Sequence, residues 1–74
     1  MMWVLSESGS YINLAHASEI FKSPHGSRWV VGVRIIGHTH DEFLNERFVS
    51  KKVIQKHIED LVESLNSKQQ LQNH

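Results

Sequence analysis

One candidate set of metal ligands is His38-Thr39-His40-Asp41, two imidazoles and a carboxylate within four positions. Imidazole nitrogen and carboxylate oxygen both suit zinc or nickel, and a closed structural site takes four such ligands. In an extended strand His38 and His40 share a face while Asp41 turns away, so a common ion requires the segment to bend. The chain has no cysteine to complete the set. His16 or His25 would have to converge on the pair, and the plainer reading is a polar turn. No cofactor is expected.

A second candidate is an anion site. Arg47, Ser50, Lys51 and Lys52 surround the expected start of a helix, where free backbone amides and the positive end of the helix dipole favour a phosphate or a carboxylate. The helix charges run against their own dipole, with Lys51, Lys52 and Lys56 in its first half and Glu59, Asp60 and Glu63 in its second. Each exposed charge at the wrong end costs about 0.3–1 kcal/mol. An anionic ligand, or an antiparallel partner helix pairing basic with acidic halves, accounts for such an arrangement.

Other chemistries find less support. Lys22, Arg28 and Arg34 with Tyr11, Phe21 or Trp29 have the residue types of a sheet that stacks bases, but they are scattered along the chain. Eight Lys and Arg balance eight Asp and Glu, which removes the global attraction that drives most binding to nucleic acids and anionic membranes. Neither is an expected partner. Ser6, Ser8 and Ser10 lie in a turn, and His57 falls in an apolar helical stripe, where a satisfied core or interface histidine is the ordinary reading. A chain of 74 residues rarely encloses a water-excluding cleft, so the expectation is a non-enzymatic protein. The amino terminus lacks a basic, apolar leader and no run reaches the length of a membrane span, which points to the cytoplasm.

The elements that must position these residues follow from periodicity. Trp3-Val4-Leu5 and Tyr11-Ile12-Asn13-Leu14 are rich in β-formers and flank Ser6-Glu7-Ser8-Gly9-Ser10, which predicts a hairpin. Ala15-His16-Ala17 interrupts the pattern, and Ser18 to Lys22 resumes it around Ile20 and Phe21. Ser23-Pro24-His25-Gly26-Ser27 carries the strongest turn signal, with Pro24 expected outside any strand ladder. Arg28 to Ile36 is the best strand, with Trp29, Val31, Val33 and Ile35 on one face and Val30, Gly32, Arg34 and Ile36 on the other. Apolar residues on both faces predict a central strand. After the turn at Gly37 to Asp41, Leu44 and Phe48 share one face of a further strand.

Ser50 fits as an N-cap, and Ile54, Ile58, Leu61 and Leu65 then recur at helical spacing. Val53, His57 and Val62 are expected to widen that stripe to about half the helix circumference. Residues 68–74 contain one apolar side chain, Leu71, and are expected to form a loose polar tail after a single domain spanning residues 1–67.

The sequence Trp3-Val4-Leu5, Tyr11-Ile12-Asn13-Leu14, Trp29-Val30-Val31 and Leu44 to Phe48 running into Ser50 and a helix resembles a group of small bacterial and phage proteins. These begin with Met-Trp and a hairpin ending Ile/Val-Asn-Leu. The resemblance spans Met2 to Leu65 and implies a fold without an established activity. The helix start departs from that group, which usually carries acidic residues after the cap where this chain has Lys51 and Lys52.

The fold expected is α+β, an antiparallel β-meander of three to four strands packed on one C-terminal amphipathic helix. One helix covers one face of a sheet, so apolar residues on both faces of Arg28 to Ile36 predict a homodimeric interaction module. Trp3, Phe21, Trp29 and Val62 are the expected interface residues. The alternative is a small module binding an anion through Arg47, Ser50, Lys51 and Lys52, or a metal through His38 and His40.

Overall fold

A computed structural model describes residues 3–72, with side chains described as far as Ser67. Met1, Met2, Asn73 and His74 lie outside the described residues. Five strands precede one helix: β1 (Trp3–Leu5), β2 (Tyr11–Asn13), β3 (Ala17–His25), β4 (Arg28–Ile35), β5 (Glu42–Phe48) and α1 (Lys51–Gln72). The architecture is α+β, with a three-stranded antiparallel meander ordered β3-β4-β5 and a separate two-stranded hairpin β1-β2. The two sheets are joined by an antiparallel bridge between Ser6 and Leu44 and by the Glu7 amide donating to the Phe43 carbonyl at 2.9 Å. The expected meander is β3-β4-β5, and the hairpin forms a second sheet because it docks on β5 through its turn rather than through a continuous ladder.

Asn13 and Leu14 end the hairpin in a 3-10 turn over Leu14–His16. The Asn13 side chain accepts from the Ala15 amide at 3.0 Å, which caps that turn locally. β3 then runs further than the turn-rich segment Ser23 to Ser27 predicts. His25 pairs with Arg28, so only Gly26 and Ser27 form the loop. Gly26 has φ of 63° and Ser27 does not share the sign, the pattern of a type II′ hairpin whose first position glycine fills without strain. Pro24 lies within the ladder opposite Trp29. That pairing is tolerated because β3 is an edge strand and Pro24 follows the pair that closes the hairpin, so its missing N–H would have pointed to the open edge and not into the ladder.

β4 is the central strand, as its apolar character on both faces predicts. Val31, Val33 and Ile35 form the core with Leu44 and Phe48 of β5 and Ile54 and Ile58 of α1. Ile12 and Leu14 close one end, and Val4 packs alongside them. Ile54 and Val33 are wholly buried. The Ser50 hydroxyl accepts from the Val53 amide at 3.2 Å, and the Ser50 carbonyl accepts from Ile54 at 3.2 Å, which fixes the helix start. α1 lies against β3, β4 and β5.

One expectation about α1 is corrected. Val53 and Val62 are exposed, at 47% and 38%, because a straight helix over three strands buries a stripe narrower than half its circumference. The helix also continues past Ser67 to Gln72. Lys, Gln and Leu are good helix formers, and each added residue extends an existing ladder at low cost. The side chains of residues 68–72 lie outside the described set.

Candidate functional site

The face of the meander away from α1 is closed from within the chain. Phe21 pairs with Gly32, which in turn pairs with Phe43. The Phe21 ring lies over Gly32, in the space a methyl group would fill, and meets Phe43 edge-on at 6.4 Å. Val30 on the same face is 2% exposed. Arg34 crosses the far end, its Nε donating to Asp41 Oδ1 at 3.0 Å and its Nη1 lying 3.4 Å from Glu19 Oε1. The Asp41 hydrogen bond, then the charges of Asp41 and Glu19, hold the Arg34 guanidinium above its usual pKa range. The apolar surplus that motivates a sheet-face dimer is therefore largely absorbed by Phe21 and Phe43.

The four expected interface residues do not form one patch. Phe21 covers Gly32 on the outer face, while Trp29 packs against the core beneath the helix start. Val62 lies on α1, and Trp3 on the hairpin. The exposed apolar surface is instead on β1-β2. Val4 and Ile12 pair inward, which turns Trp3, Leu5 and Tyr11 outward, with Leu5 directly opposite Tyr11. Their exposures are 54%, 39% and 69%. Leu5 and Tyr11 were legible as partners of Trp3, since alternate residues of a strand share a face. What hides them is that Val4 and Ile12 are apolar too, so the sequence does not say which side faces out.

At the opposite end of the layer, lysines gather. Lys22 of β3 and Lys51, Lys52 and Lys56 of α1 line one groove with Gln55 and Glu59. A second depression, lined by Ile20 and Trp29, adjoins it and shares Lys22, Lys51 and Gln55. Lys22 Nζ donates to Gln55 Oε1 at 2.7 Å, a neutral amide rather than a carboxylate. Lys51 Nζ stands 6.0 Å from the centre of the Trp29 ring. Lys56 Nζ meets Asp60 Oδ1 at 3.2 Å, and that hydrogen bond, followed by the Asp60 charge, raises the Lys56 pKa. Arg47, expected to join Lys51 and Lys52, pairs instead with Val30 on the other face of the sheet. Its place is taken by Lys22 and Lys56, which register and helix geometry bring in.

The histidine turn gathers no third ligand. Thr39 Oγ1 lies 3.2 Å from His40 Nδ1, His40 Nε2 is 4.0 Å from Glu42, and Asp41 is engaged by Arg34. Among the described residues no group of three or more His, Asp or Glu side chains is placed to hold a metal ion. Ser6, expected in a turn, is 1% exposed. Its hydroxyl lies 2.8 Å from Ser8 Oγ and accepts from the Ser10 amide at 3.2 Å. His57 is half-buried with its ring 4.7 Å from Phe48. It borders a cleft between β1, β5 and α1 floored by Val4, Val31, Leu44 and Leu61. No described helix is long and apolar enough to cross a membrane. No protein family, curated protein or solved structure matches this chain.

Proposed function

We propose that the protein is a non-enzymatic interaction module that self-associates through the outer face of the β1-β2 hairpin, and that it acts in the cytoplasm. The observation that carries this reading is the exposure of Trp3, Leu5 and Tyr11 side by side on one face. Tryptophan and tyrosine are enriched at the centres of protein interfaces. The face carries no charge, and the chain is neutral overall, so two copies meet without electrostatic repulsion and the patch is complementary to itself. A chain without cysteine needs no oxidising compartment to fold.

The patch is small. Interfaces below about 1,200 Å² fall in the weak, transient class, so the expected dissociation constant is micromolar rather than nanomolar. Sedimentation equilibrium across a concentration series tests the reading. The expected result is a rising dimer fraction that Trp3→Ser with Tyr11→Ser abolishes while the circular-dichroism melt is retained. A monomeric mass at high micromolar concentration refutes it.

A further inference from the structure

Four of the eight cationic side chains of a neutral protein line one groove. They come from two elements far apart in sequence, β3 and α1, and are not merely the first turn of a helix. Lys22, Lys51 and Lys52 have no carboxylate partner within ion-pair distance among the described residues, although acidic groups are equally abundant in the chain. Lys22 is half-buried and satisfied only by the Gln55 amide. Ile20 and Trp29 line a second depression that adjoins the groove through Lys22, Lys51 and Gln55.

From this juxtaposition we propose that the Lys22–Lys51–Lys52–Lys56 groove binds an acidic peptide segment of a partner protein. Carboxylates would meet the lysine rim and an apolar side chain would rest on Trp29 and Ile20. The charge balance favours a peptide over a nucleic acid: the chain is neutral overall and Glu59 stands among the lysines in the groove, so the site lacks the strong positive field that most nucleic-acid binding needs. The surface lies on the β3 side of the meander while the hairpin adjoins β5, so it stands or falls independently of self-association.

The test uses the full chain carrying Trp3→Phe, so that Trp29 is the one fluorescent tryptophan. Titration with poly-L-glutamate is expected to change Trp29 emission saturably. The apparent affinity should fall about tenfold between low and physiological salt, as screening of exposed charges requires. Lys22→Gln with Lys51→Gln is expected to abolish the response; Gln at position 22 keeps an amide donor near Gln55, and an unchanged thermal melt shows that the fold persists. Three results overturn the proposal: no emission change with poly-L-glutamate, an equal response in the double variant, or a response to oligothymidylate at lower concentration than to poly-L-glutamate.

Discussion

Gly32 and Phe21 form the most consequential side-chain pair outside the core. The Phe21 ring fills the space above Gly32 and touches Phe43, so the outer sheet face is closed by one aromatic over one glycine. Gly32→Ala is expected to cost about 1–3 kcal/mol, because the ring must move off the sheet. In a Phe21→Ala background the same substitution should cost distinctly less, and urea denaturation of the four species measures that coupling. The pairing could not be read from the chain, since Gly32 looks like a weak point in a strand until its neighbour across the ladder is known. Ser6 offers a second case. Its hydroxyl ties the hairpin turn at the point where the two sheets meet, and Ser6→Ala is expected to lower stability by about 1 kcal/mol in a thermal melt.

At the scale of the element, α1 combines a strong cap with poorly placed charges. Its first turn contains no acidic residue and its last turn no basic one. Ser50→Ala should destabilise the protein by about 1 kcal/mol through loss of the bond to the Val53 amide. Lys52→Glu should do the reverse and stabilise it by about 0.3–1 kcal/mol, since a carboxylate then meets the positive end of the dipole and stands four residues before Lys56. The same variant should bind poly-L-glutamate more weakly. Opposite signs in a melting curve and a binding titration would mark the lysines as placed for a partner rather than for the helix. The hairpin is the other informative element. Two short strands alone are marginal in water, and β1-β2 is held by its inward Val4 and Ile12 and by one bridge to β5.

For the molecule as a whole, that unequal attachment predicts unequal protection. Amide hydrogen exchange is expected to be faster at Val4 and Ile12 than at Val31 and Val33, which lie in the central strand and are nearly inaccessible. If the hairpin face is the self-association surface, protection at Val4 and Ile12 should rise with protein concentration while that of β4 stays constant. The sequence by itself determined the α+β class, the central strand from its two apolar faces, the buried positions Leu44 and Phe48, and the helix start at Ser50. Those are local facts, set by side-chain period and capping chemistry, which act within a few residues. Only the tertiary structure decided that Pro24 stays in an edge strand, that Phe21 and Phe43 close the outer face, that Lys22 joins Lys51 and Lys56, and that Leu5 and Tyr11 face outward with Trp3. Each depends on which strand lies beside which, and a period of two fixes what shares a face but leaves open which face the core will claim.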